Sequence, residues 1–195
     1  MATQEPVARG KVFSLAINGA RTNEICFDLR GPDGDVHQGF TRKLSGHDGD
    51  YIRSSDLNKG HSVFNWRTWT ATSIEEIRTV SHSLGHDIPA GCLLENIVFE
   101  GIPNFSDLPP TSRLVFPSFF SPIDNNDLRQ AVLAVWEQNG PCRTVGERLE
   151  AHHEVDGLKT SFIREAQGKR GLMGFVLSAG SVAVGDEVLV YPPVK

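Results

Sequence analysis

Ala131-Val132-Leu133-Ala134-Val135-Trp136-Glu137-Gln138-Asn139-Gly140-Pro141-Cys142-Arg143-Thr144 runs from an apolar, branched segment into Asn-Gly-Pro and then presents a cysteine. A short apolar run bounded by turn residues reads as a buried strand, and a proline ends it because its φ is fixed and it has no N–H to give to a sheet. The chain is therefore expected to carry the Cys142 thiol to the mouth of whatever lies beyond the strand. Free cysteines often fill core space. Three neighbours argue for chemistry instead: Pro141 fixes the backbone, Arg143 sets a cation beside the sulfur, and Thr144 adds a hydroxyl. A thiolate in such a setting is both a nucleophile and a soft metal ligand. The other cysteines, Cys26 and Cys92, lie in apolar sequence.

Outward from this stretch, strand signals dominate. Residues 11–17 are rich in strand formers and end at Asn18-Gly19, and residues 23–29 alternate polar with apolar, so the chain opens with a pair of strands. Residues 63–70, with two tryptophans, read as one further strand, and residues 113–116 as a short one. On the C-terminal side, residues 172–177, a Ser178-Ala179-Gly180-Ser181 turn and residues 182–191 carry hairpin signals. Helical spacing is clearest after Ser73, where Ser73-x-x-Glu76 matches a capping box, Ile74, Ile77 and Leu84 share a face, and Gly85 supplies a stop. Residues 145–153 and 158–166 are helix-compatible. Neighbouring His152 and His153 point different ways on a helix and make a poor metal pair. Many short strands separated by Gly, Pro and Asn turns, with few helices, predict a mainly β protein: a closed or nearly closed β-barrel with peripheral helices.

Three polar features interrupt this pattern. Residues 31–39 and 45–50 are dense in Gly, Asp and Pro and specify turns in a long loop, the kind of segment that more often serves a function than none. Glu95 and Asn96 break the apolar run of residues 92–102, so burial would oblige both to find partners. Gln167-Gly168-Lys169-Arg170-Gly171 is a compact basic turn suited to an anion.

With 195 residues, 39% hydrophobic and 22% charged, the chain is expected to form one domain over residues 1–195, with its core at about 10–191. A net charge of −5 argues against non-specific nucleic-acid binding while leaving room for a local anion pocket. The N-terminus lacks a signal-peptide pattern and no segment has the length of a membrane span, so a cytoplasmic, membrane-free protein with free thiols is expected.

Taken in order, Gly31-x-x-Gly34-Asp35-x-His37-x-Gly39, the capped helix, Pro89-Ala90-Gly91, Glu95-Asn96-Ile97-Val98 with Gly101-Ile102, Gly140-Pro141-Cys142, Arg170-Gly171 and Gly180-x-Val182-x-Val184-Gly185-Asp186-x-Val188 resemble the MOSC domain. That domain stands at the C-terminus of molybdenum cofactor sulfurases and alone in bacterial proteins. The resemblance implies a β-barrel and a pocket around the cysteine that binds molybdenum cofactor (molybdopterin) or carries sulfur. It implies Cys142 as the family cysteine and metal ligand, with Glu95, Asn96 and His37 on the matching motifs. For the cofactor's phosphate, Arg170, Lys169 and Arg143 are the candidate cations, with Thr144 beside them. The expected function is reduction of N-hydroxylated small molecules on that cofactor, with electrons from another protein. The alternative is a carrier that takes sulfur from a pyridoxal-phosphate-dependent cysteine desulfurase for metal-sulfur centres. A binding module for a small anionic ligand is a third reading. Leu94 stands where the family usually has Gly, and residues 47–58 and 118–126 read as local elaborations.

Overall fold

The computed structural model describes residues 5–43, 60–117 and 130–194. The two elaborations at 47–58 and 118–126 lie outside them.

Seven strands close a barrel. In chain order the strands are β1 (Ala8–Ile17), β2 (Ala20–Thr22), β3 (Glu24–Asp28), β4 (Gly31–Pro32), β5 (Thr41–Lys43), β6 (Ser62–Phe64), β7 (Trp69–Ser73), β8 (Ile97–Glu100), β9 (Arg113–Val115), β10 (Val132–Gln138), β11 (Leu172–Ser178), β12 (Gly180–Ala183) and β13 (Glu187–Tyr191). The main sheet runs β13-β9-β10-β11-β7-β8-β1, β13 pairs again with β1 to close it, and β2 extends β1. Neighbours are antiparallel except β7 and β8, which run parallel with Ala71 opposite Ile97. A parallel pair needs a crossover, and α1 (Ile74–Leu84) supplies it. Two further helices follow, α2 (Arg143–His153) and α3 (Leu158–Glu165); α3 packs beside α1, and α2 packs on α3.

The expected mainly β barrel with peripheral helices is therefore the observed architecture, and its interior follows from strand alternation. Val12, Leu15, Trp69, Phe99, Leu114, Leu133, Val188 and Val190 fill it, each at most 1% exposed. Burying each of the larger of these side chains is worth about 1.5–3 kcal/mol. A second apolar cluster, with Ile77, Val80, Val145, Leu149 and Phe162, lies between the helices and the outer face of the sheet, and Cys142 packs at its edge.

Four local readings change. Residues 63–70 form two strands rather than one: Asn65 is 3% exposed and its amide nitrogen donates to the carbonyls of His37 (2.7 Å) and Gly39 (3.0 Å), pulling the chain out of the sheet between β6 and β7. The expected C-terminal hairpin is divided: β12 pairs with β3 in a separate three-stranded sheet, and only β13 returns to the barrel. The capping box is half made. Ser73 Oγ accepts from the Glu76 N–H at 3.2 Å, but the Glu76 carboxylate turns inward to Ser106. Cys26 also differs from its reading, since strand alternation sends Ile25 and Phe27 inward and leaves Cys26 exposed beside Ser181.

Candidate functional site

β10 ends as expected, and the Asn139-Gly140-Pro141 turn delivers Cys142 to the N-cap of α2 with extended backbone (φ −128°, ψ 160°). The thiol is half-buried and makes no capping bond to the helix backbone; its side-chain partner is the Arg170 guanidinium. All three cysteines are free thiols.

The cation at this sulfur is Arg170. Its side chain is buried, 5% exposed, and reaches back across the site from the turn before β11. Nη1 donates to Asn139 Oδ1 (3.1 Å) and to the Gly140 carbonyl, and Nη2 donates to the Leu93 carbonyl (3.0 Å). Burial depresses the Arg170 pKa; the Cys142 sulfur opposes that, the Arg67 charge adds to it, and Glu95 opposes it again. Arg170 therefore faces both Cys142 and a second guanidinium. Nε of Arg170 and Nε of Arg67 are both buried without a hydrogen-bond partner, and among the described residues Arg67 has no carboxylate to pair with. Among the described residues, two guanidinium groups and the buried Glu95 carboxyl meet at the floor beside the thiol, a setting that favours anions.

The turn bearing Arg170 is held from behind. Gly171 adopts φ +86°, and a Cβ there would lie 1.9 Å from the Ala71 carbonyl oxygen, so only glycine allows this approach to β7. Its N–H donates to Ser106 Oγ at 2.9 Å, while Ser106 donates to Glu76, whose carboxyl is pushed up by burial.

Glu95 and Asn96 form the wall rather than the rim. Glu95 is 4% exposed; Oε1 accepts from the Gly91 N–H, and Oε2 is buried without a partner. Burial pushes this carboxyl up, with the Gly91 N–H and the Arg170 charge opposing. The peptide before it is strained, because Leu94 takes φ +60°, in the left-handed region that favours glycine. The Asn96 amide is fully engaged: Oδ1 accepts from the Thr70 N–H (2.9 Å), and Nδ2 donates to Asp35 Oδ2 (2.8 Å) and to the Ala16 carbonyl (3.4 Å).

Asp35 carries the network on to His37. Its side chain is 5% exposed, and Oδ1 accepts from the His37 backbone N–H (2.8 Å) and lies 3.1 Å from His37 Nδ1. Burial alone would raise the Asp35 pKa, but the hydrogen bonds from His37 and Asn96 outweigh it and hold the carboxylate below its ordinary value.

Of the residues singled out by sequence, the structure thus brings together Cys142, Arg170 and Glu95; Asn96 follows Glu95 in the chain, and Asp35 joins Asn96 to His37. The others sit apart. Arg143 is exposed on the first turn of α2 and donates to Glu147 at 2.6 Å, Thr144 is exposed beside it, and Lys169 points to solvent. Arg67 and Asn65 were missed; their one signal was two polar residues inside an otherwise strand-like run. The surface histidines meet ring to ring, His86 tilted against His153 at 4.9 Å and His152 edge-on to His153 at 4.7 Å, and among the described residues no group of three or more His, Cys, Asp or Glu side chains could hold a metal ion. No described helix is long and apolar enough to cross a membrane.

The model of the MOSC domain family matches residues 58–189, well over half of the chain. A Bacillus subtilis protein, YuaD, provisionally named for metal-sulfur cluster biosynthesis, is 30% identical over 171 residues, covering 87% of this chain and 80% of its own. The crystal structure of YuaD superposes with a TM-score of 0.81 at 28% identity, over 95% of this chain and 97% of that one. YiiM from Geobacillus stearothermophilus shares the fold at a TM-score of 0.51 and 14% identity, over 99% of this chain and 76% of its own.

Proposed function

The chain belongs to the MOSC domain family, and from that premise we propose that it is a sulfur carrier in which Cys142 accepts a sulfur atom as a persulfide and passes it toward metal-sulfur centres. The observation that carries this reading is the Cys142 sulfur itself, half-buried, making no capping bond to the helix backbone, and hydrogen-bonded and charge-paired with the buried Arg170. A persulfide carrier needs a thiol that a donor can reach and a positive environment for the sulfur anion on arrival. The name of the YuaD relative agrees with such a role. The donor is expected to be a protein that generates a persulfide, such as a pyridoxal-phosphate-dependent cysteine desulfurase. The test is transfer of label from ³⁵S-cysteine through a desulfurase. Wild type should retain label that a reductant releases, and Cys142→Ala should retain none; equal labelling of both would refute the assignment.

A second reading, molybdenum-cofactor binding for reduction of N-hydroxylated compounds, draws support from the same floor. Cys142 can supply only one ligand, and the absence of a surrounding metal-ligand cluster among the described residues means that any metal would have to arrive with its own donors, as a dithiolene cofactor does. Arg67 and Arg170, with unpartnered Nε atoms, fit the charge of its phosphate. Bound there, the cofactor would supply redox chemistry, with electrons from a partner protein. Glu95 is too buried and Asn96 too fully bonded to contact it, so both would shape the wall.

A further inference from the structure

We propose that Glu76 and Ser106 are positioning residues for Cys142 and Arg170: together they hold the two strand ends that bring thiol and guanidinium side by side. The inference concerns the site of the sulfur-carrier reading and takes its functional meaning from it.

Glu76 breaks the local rule of its own helix. It stands third in a capping box, where its carboxylate would ordinarily reach back to the Ser73 N–H. Instead it lies inward, 6% exposed, and meets amide and hydroxyl donors: Oε1 accepts from the Ser106 N–H (2.8 Å), and Oε2 accepts from Ser106 Oγ (3.0 Å) and Thr72 Oγ1 (3.4 Å). Burying a carboxylate costs free energy that a cap at the helix surface would not, so the stability of α1 does not explain the choice.

Ser106, 2% exposed in the single helical turn Phe105–Asp107, extends this hold to both arms of the site. Its Oγ accepts from the Gly171 N–H at 2.9 Å, and its carbonyl accepts from Gln138 Nε2 at 3.0 Å. Gly171 follows Arg170 directly, and Gln138 ends the strand that leads through Asn139-Gly140-Pro141 to Cys142. Asn139 then ties the arms to each other, its N–H donating to the Gly171 carbonyl (2.9 Å) and its Oδ1 accepting from Arg170 Nη1 (3.1 Å). An N–H can only donate and a carboxylate only accept, so the order Gly171 N–H to Ser106 Oγ, then Ser106 O–H to Glu76 Oε2, has one direction. Without the carboxylate the hydroxyl proton has no fixed direction, and the Gly171 N–H has no assured lone pair. What this order holds in place is the guanidinium that hydrogen-bonds the Cys142 sulfur.

Charge selectivity at Cys142 tests the role, because it follows the position of the guanidinium rather than the stability of the fold. Wild type, Ser106→Ala, Glu76→Gln, Arg170→Met and a barrel-core control, Val188→Ala, are alkylated with anionic iodoacetate and with neutral iodoacetamide. The rate at each thiol is read by peptide mass spectrometry, with exposed Cys26 as the reference within the same chain. A cation held at the sulfur should give wild-type Cys142 a preference for iodoacetate about tenfold above that of Cys26, and Arg170→Met should abolish it. Ser106→Ala and Glu76→Gln are each expected to cut the preference by about threefold or more, and Val188→Ala to leave it unchanged. Glu76→Gln keeps the shape of the side chain, but its amide either opposes the Ser106 N–H with a second donor or leaves the Ser106 hydroxyl proton without an acceptor. A preference that both variants retain while Arg170→Met loses it would overturn the positioning role, as would the absence of any preference in wild type. An equal fall in Val188→Ala would overturn it too, by showing a general loosening of the fold, and thermal unfolding establishes that each variant is folded. Sulfur loading of wild type from a persulfide donor is measured alongside. Its failure would refute the carrier reading and leave the positioning of Arg170 standing.

Discussion

The two ends of the barrel make opposite use of charge. Beyond the C-terminal ends of β7 and β8 lies a cavity of about 730 Å3, lined by residues that include Arg9, Lys11, Glu75, Arg78, Glu100 and Glu187. Its lining mixes the two signs and holds no thiol, and Arg9 meets Glu187 at 3.4 Å where both are solvated. At the other end of the same two strands, the site around Cys142 buries Arg170, Glu95, Asn96 and Asp35, and leaves Nε of Arg170 and Oε2 of Glu95 without partners. Buried, unanswered polar groups cost free energy, so a fold that gathers several around one thiol invites a functional explanation; the cavity end keeps one, Glu75 Oε2, among solvated charges.

The comparison is most exposed to failure at Arg170. Arg170→Met should cost about 2–4 kcal/mol in urea unfolding, because the Leu93 and Gly140 carbonyls and the Asn139 amide oxygen lose their donor, and it should also slow sulfur loading of Cys142. Little change in either would mean that the buried cation is incidental.

The sequence revealed this end unevenly, and the reasons are physical. The turn that presents Cys142 was legible because its signals are local: an apolar strand, then Gly-Pro. The α1 cap and stop were legible for the same reason. Arg143 drew attention by adjacency, yet consecutive helical residues point in different directions, and Glu147 four residues on captures its guanidinium. Arg170, 28 positions away, reaches the sulfur because β10 and β11 are antiparallel neighbours, a pairing that no local pattern reports. The parallel register of β7 and β8 and the departure of β12 to β3 are equally non-local. Asn65 and Arg67 were hidden in a run whose aromatic residues read as a continuous strand, since propensity carries no sign of a side chain that hydrogen-bonds a distant loop.

A smaller effect sharpens the contrast through pH. The Asp35 carboxylate is held below its ordinary value of 3.8 in the fold, so the unfolded chain takes up the proton first as pH falls. The stability it contributes is fully present above the ordinary value and is lost on acidification through and below it. The stability gap between wild type and Asp35→Asn should therefore narrow from about pH 5 to about pH 3, as read from denaturation midpoints. A gap that stays constant would mean that the hydrogen bonds of Asp35 do not depend on its charge. The smallest effect belongs to the opposite end: Arg78→Ala, on the exposed rim of the cavity, should shift stability by less than about 0.5 kcal/mol and leave sulfur loading unchanged.

The central claim is that Cys142 carries sulfur, and elemental analysis with intact-chain mass spectrometry tests it most directly, on wild type and Cys142→Ala purified from a host that makes molybdenum cofactor. The account predicts one added sulfur atom on wild type after exposure to a persulfide donor, reversed by reductant and absent from the variant, without stoichiometric molybdenum. Molybdenum near one per chain, lost with Cys142, and no added sulfur would contradict it and establish the cofactor reading in its place.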